Sequence, residues 1–204
     1  MKPNKPFILG LTGGIACGKS HVAQQLRNLG VPVLDADAVS RALTAQGGEA
    51  LPAIRTAFGD SVFDGDQLNR RALGAVVFAD DEKRRALEAI LHPLIMDRML
   101  RDTEAAHTPI VGWDVPLLYE TGMDAHCDEV WCVYITLQEQ LRRLMRRDRL
   151  DRAAAQARVD SQLSLTEKKQ RAQHRISTMG SRANTRRRVR ALLRDLQRRL
   201  SHDE

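Results

Sequence analysis

Residues 13–20 read Gly13-Gly14-Ile15-Ala16-Cys17-Gly18-Lys19-Ser20, a complete G-x-x-x-x-G-K-S loop. These residue types suit the binding of a nucleoside triphosphate. Glycines let backbone N–H groups close around phosphate oxygens at the positive end of a helix. Lys19 can reach the β- and γ-phosphates, and the Ser20 hydroxyl can hold Mg²⁺. The flanks agree with this reading. Residues 7–11 are a short apolar run suited to a buried parallel strand. Behind the loop Val22, Leu26 and Leu29 share a helix face that Gly30 terminates.

Other residues could complete a site. Asp35-Ala36-Asp37 follows a second apolar run at 31–34. In parallel sheets ligands bind beyond the carboxyl ends of strands. On strand alternation Asp35 and Asp37 would face the same way. One of them could accept a hydrogen bond from an attacking hydroxyl, and Asp37 can equally be read as a helix N-cap. Asp114 ends a third run at 110–113 and suits indirect Mg²⁺ binding, or a turn before Pro116. Arg143 and Arg147 lie four apart, on one face of a helix, where a guanidinium can stabilise a transferring phosphoryl group. Most arginines of residues 142–152 read as ordinary solvated charge. His92-Pro93 is expected to open a helix with Pro93 at its first position, which makes His92 a surface histidine or a ligand for an acceptor phosphate. Cys17, beside Lys19 and near a helix N-terminus, is expected to have a lowered pKa and to be alkylated when no nucleotide covers it.

These groups must be held by alternating strands and helices. A fourth run at 130–135 and a weaker one at 175–177 bring the expected strands to five, in a parallel sheet wrapped by helices. Between the second and third runs no strand is expected. Helices are expected there over 51–58, 71–78, 82–91 and 93–103. A second helical excursion covers 137–172. The expected fold is α/β, a three-layer P-loop kinase core over about 7–42, 108–136 and 173–200. Residues 43–107 would form a helical acceptor-binding insertion and 137–172 a helical lid, all within one domain spanning 1–204.

Composition narrows the class. The 204 residues are 43% hydrophobic, enough for one α/β domain with a sizeable core. No apolar run reaches the length of a membrane span, and no cleavable leader pattern precedes the first strand. Cys17, Cys127 and Cys132 form no C-x-x-C pair, which argues against a disulfide framework or zinc site and for a reducing cytoplasm. The net charge of +6 is local. Residues 182–199 hold eight arginines and one acid, so the rest of the chain is close to neutral. Val189, Leu192, Leu193, Leu196 and Leu200 make an apolar stripe on the same segment, which is expected to dock with its arginines outward. A solvated face is favoured over a nucleic-acid patch, and 4% aromatic content offers few stacking platforms.

In combination these segments resemble the dephospho-coenzyme A kinase family. The resemblance spans nearly the whole chain. It is carried by residues 11–15 entering the phosphate loop, Asp35-Ala36-Asp37, Arg71-Ala72-Leu73 with Val77-Phe78, and Leu91-His92-Pro93-Leu94-Ile95. Residues 114–120 (Asp-Val-Pro-Leu-Leu-Tyr-Glu) and Arg146-Arg147-Asp148 complete it. It implies transfer of the ATP γ-phosphate to the ribose 3′-hydroxyl of dephospho-coenzyme A, with Mg²⁺. On the resemblance Asp37 matches the base, Arg143 and Arg147 become donor-side arginines, and His92 moves to the acceptor side. ATP would sit on Gly13, Gly14, Ile15, Ala16, Cys17, Gly18, Lys19, Ser20 and His21. The implied partners are these two substrates, with no membrane or nucleic acid, for a monomer or weak homo-oligomer. Three positions depart from the family. Cys17 stands for Ser, and His21 stands for the Thr that contacts the α-phosphate. Ser177-Thr178-Met179-Gly180 stands for an Asp-Asn-x-Gly segment. A related small-metabolite kinase is the nearer alternative, and a nucleic-acid-binding ATPase the more distant one.

Overall fold

The computed structural model describes residues 5–202. The chain divides into two compact units, Met1–Val33 with Ala106–Glu204, and Leu34–Ala105. In chain order β1 (Phe7–Gly13), α1 (Lys19–Asn28) and β2 (Val33–Asp35) lead into the second unit. That unit holds α2 (Ala36–Leu43), α3 (Leu51–Phe58), β3 (Phe63–Asp64), β4 (Gln67–Leu68), α4 (Arg70–Ala79) and α5 (Asp81–Ala105). The chain returns through β5 (Ile110–Asp114), β6 (Glu129–Tyr134), α6 (Leu137–Asp148), α7 (Arg152–Asp160), α8 (Leu165–Arg171), β7 (His174–Ser177) and α9 (Arg182–His202).

The expected five-stranded sheet is present, in the order β2-β5-β1-β6-β7. Parallel ladders join β1 to β5 and to β6, with Phe7 opposite Ile110 and Leu9 opposite Glu129. β7 extends the sheet, His174 lying opposite Trp131. β1 is thus central and apolar on both faces, as a covered parallel strand should be. Strand periodicity sends Leu9, Leu11, Trp131, Val133 and Ile176 to one face. There they pack with Val22, Ala23 and Leu26 of α1 and with Val189, Leu192, Leu193 and Leu196 of α9. The arginine-rich tail therefore docks through its leucine stripe as expected. Gly10 is crowded: a Cβ there would lie 2.8 Å from the Cys127 sulfur and 3.1 Å from Leu118.

Not every tail arginine points outward. Arg199 donates to Glu129 Oε2 at 2.7 Å, and Glu129 is only 5% exposed. The other carboxylate oxygen accepts from Trp131 Nε1 at 2.6 Å. A buried acid at the start of β6 thus pins the end of α9.

In the second unit Leu43, Leu51, Ile54, Val62, Phe63 and Leu73 form a separate apolar core. Two expectations fail here. The stretch expected to lack strands contains a minimal hairpin, β3 on β4, with Phe63 opposite Leu68 and Gly65 at φ 62° in its turn. The helices expected on either side of His92 are one continuous α5, with Pro93 in its interior. Pro93 therefore does not start a helix. It removes one ladder bond, and burial of Leu87, Ile90, Leu91, Leu94 and Ile95 on the unit's core sustains the helix through it.

Candidate active site

The phosphate loop leaves the carboxyl end of the central strand. Chain continuity and sheet order together make this a topological switch point. The chain departs from β1 toward β2 at one edge and later crosses over β1 from β5 to β6. Gly18 caps α1 at φ 85°, and a Cβ there would touch Thr178 at 3.3 Å. Within the loop the Cys17 N–H donates to the Gly14 carbonyl at 3.1 Å. Ala16 adopts φ 61°, the left-handed region that a residue with a Cβ rarely enters.

Lys19 is the first residue of α1, and its ammonium pairs with Asp114, which ends β5 and is 5% exposed. Adjacent strands therefore deliver the cation and the second acid to one place. Beyond Asp114 the Pro116 carbonyl accepts from Thr12 Oγ1 at 3.1 Å and from Lys168 Nζ at 2.9 Å. Lys168 is fully buried and also pairs with Glu120 at 2.7 Å. Ser20 is exposed in the first turn of α1. A hydroxyl and a carboxylate are hard oxygen donors, which fit Mg²⁺ held mainly by triphosphate and water. Among the described residues no cluster of His, Cys, Asp and Glu could cage a metal unaided.

Of the two candidate arginines on α6, Arg143 and Arg147, the structure brings one to the loop. Arg143 donates to the Thr178 carbonyl at 3.0 Å and to the Thr178 hydroxyl at 3.3 Å. That hydroxyl donates to the Cys17 carbonyl at 2.6 Å. Glu139 steadies the arginine at 2.7 Å, and hydrogen bonds from Arg142 and Arg143 hold its carboxyl down at about 2. Arg147 is exposed and pairs instead with Asp148, at 2.7 Å. Thr178 thus joins Arg143 to the phosphate loop, a role that no local sequence signal announced. Gln140 and Gln162 were likewise missed; both contact Ile15.

His21 lies in the first turn of α1, and its Nε2 is buried with no hydrogen-bond partner among the described residues. Cys17 corrects an expectation. It is 1% exposed, and burial pushes its thiol up to about 11. Desolvation outweighs the hydrogen bonds from Ile135 and Gly14 and the charges of Arg143 and Lys168.

In the second unit the strand reading of the two aspartates fails. Asp35 ends β2, and its carboxylate caps α2 by accepting from the Ala38 N–H at 3.0 Å. Asp37 sits inside the first turn of that helix and is exposed. The cap is therefore Asp35, and Asp37 has no such duty. His92 is exposed in the middle of α5.

The dephospho-CoA kinase family model matches residues 7–184. The chain belongs to the dephospho-CoA kinase family. A dephospho-CoA kinase from Geobacillus kaustophilus is 42% identical over 191 residues, covering 92% of this chain and 95% of that one. Among solved structures, TT1252 from Thermus thermophilus superposes with a TM-score of 0.82 at 36% identity, covering 94% of this chain and 98% of that one. The dephospho-CoA kinase from Campylobacter jejuni gives 0.71 at 26% identity, covering 93% and 96%.

Proposed function

We propose that this chain transfers the ATP γ-phosphate to the ribose 3′-hydroxyl of dephospho-CoA, with Lys19, Arg143 and Asp37 as the working side chains. ATP-dependent phosphorylation of dephospho-CoA, in coenzyme A synthesis, is the family's reaction. The observation that carries the donor side is the Lys19–Asp114 pair beside a glycine-capped helix N-terminus. The loop N–H groups and Lys19 bind the triphosphate, and Asp114 aims the ammonium. Ser20, and Asp114 through water, would hold Mg²⁺, which would supply neutralising charge to the phosphates. Arg143, fixed by Thr178 and Glu139, spreads positive charge toward the equatorial oxygens in the transition state. Asp37 orients the acceptor hydroxyl and takes its proton late, because phosphoryl transfer is loose. His92 belongs to the acceptor side in this reading, and residues 137–172 act as the lid that excludes water. Arg147, held by Asp148, is a weaker candidate than Arg143.

Free Cys17, Cys127 and Cys132 fit a reducing cytoplasm as the workplace. Among the described residues no helix is long and apolar enough to cross a membrane. The test is ADP release with dephospho-CoA set against adenosine, AMP and other small hydroxyl acceptors. The expected result is turnover with dephospho-CoA alone, with the new phosphate on the 3′-oxygen by phosphorus NMR. Equal turnover with an unrelated acceptor would overturn the assignment.

A further inference from the structure

Ile15 is gripped from both sides by glutamines that lie outside the phosphate loop. Its N–H donates to Gln162 Oε1 at 3.0 Å. Its carbonyl accepts from Gln140 Nε2 at 2.9 Å. Gln140 projects from α6 and is 2% exposed; Gln162 lies in the link between α7 and α8. Gly14 makes room for the grip, since a Cβ there would meet Gln140 Nε2 at 2.6 Å. The residue that follows, Ala16, holds the left-handed φ of 61°. A loop residue with a Cβ keeps that conformation only where its surroundings impose it.

Gln162 is itself anchored. The neighbouring Leu163 N–H donates to Glu120 at 2.9 Å, and Glu120 is paired with the buried Lys168. Lys168 in turn holds the Pro116 carbonyl, two residues beyond Asp114. Both glutamines also line a cavity of about 480 Å³ beside Gly14. With either amide removed, water entering there competes for the Ile15 peptide groups, and the left-handed turn at Ala16 keeps only the Cys17–Gly14 hydrogen bond and its packing against Leu141, Leu144 and Ala155.

We propose that Gln140 and Gln162 are positioning residues for ATP: together they fix the peptide groups flanking Ile15, which keeps the N–H groups of the loop aimed at the phosphates. The proposal rests on the kinase reading of the site, so its test uses nucleotide binding without acceptor. A failure of the acceptor assignment would leave that measurement intact.

Gln162→Leu, Gln140→Leu and the double variant are titrated with the non-hydrolysable β,γ-imido analogue of ATP and Mg²⁺. Each single change is expected to weaken binding about tenfold, the effect of losing one positioned hydrogen bond. Because both act through Ile15, the double variant should weaken binding far less than the product of the two losses, which would be about 100-fold. The KM for dephospho-CoA should stay unchanged in the single variants. Unaltered nucleotide affinity in Gln162→Leu, a multiplicative double variant, or a matching rise in the acceptor KM would each overturn the proposal. Gln162 is only half-buried, so its variant tests the grip alone if Gln140→Leu does not fold.

Discussion

In the proposed mechanism Lys19 is shared between a protein carboxylate and the incoming triphosphate. Its side chain keeps 15% exposure while paired with Asp114, so the ammonium is held yet reachable. Lys19→Ala should lower turnover by at least about 10²-fold, the cost of removing one transition-state charge contact. ADP release measured beside circular dichroism checks that activity is lost from a folded protein. For the aspartates the proposed mechanism and the capping geometry together predict opposite phenotypes. Asp37→Asn should cut kcat by about 10²–10⁴-fold with unchanged ATP affinity. Asp35→Asn should leave kcat near normal, with any cost falling on α2 and of the order of 1 kcal/mol or less. Rate and melting curves for both variants decide it, and a kcat loss confined to Asp35→Asn would assign the base wrongly. Cys17, buried and with its thiol at about 11, should resist alkylation at neutral pH with or without nucleotide. Mass-spectrometric labelling reads this directly. The sequence displayed the reactive types, because a phosphate loop is a contiguous pattern. It did not display burial of Cys17, nor the reach of Thr178 across 161 positions to Cys17. Those depend on which segments the fold stacks together.

At the scale of elements, periodicity was a good guide where one face is buried and a poor one at interruptions. The expected 51–58 helix coincides with α3, and the leucine stripe of α9 lies on the sheet as read. Pro93 misled because a helix start is a proline's usual place, whereas tertiary packing carries α5 through it. β3 and β4 have two residues each, too short to show alternation. The arginines of α9 looked uniformly solvated because sequence cannot reveal that Glu129 waits beneath one of them. Arg199→Met should therefore destabilise the protein by about 1–3 kcal/mol, since it strips a partner from a buried carboxylate. Arg194→Met, with no such partner among the described residues, should be close to neutral. Denaturant midpoints of the two variants provide the comparison, and equal midpoints would show that Glu129 does not need Arg199.

Across the whole molecule, the alternation of strands and helices made the α/β class and a buried parallel β1 readable, but not its central place in the sheet. The division at Val33 and Ala106 was less so. No Gly/Pro-rich linker marks it; the chain passes from one unit to the other through β2 itself. One property of this layout governs how the protein comes into being. Residues 34–105 are contiguous and enclose their own apolar core, whereas β1 finds both of its ladder partners about a hundred positions later, at Ile110 and Glu129. Closing so long a loop is entropically costly and slow. During synthesis β1 must wait for more than half of the chain, and the core on its Leu9–Leu11 face, begun by α1, is completed only when α9 arrives. Pulse hydrogen-exchange during refolding should accordingly protect the amides of α2–α5 before those of β1, β5 and β6. The nucleotide site would then be the last part of the protein to mature, and a chaperone that shields an unpaired hydrophobic strand would act on β1.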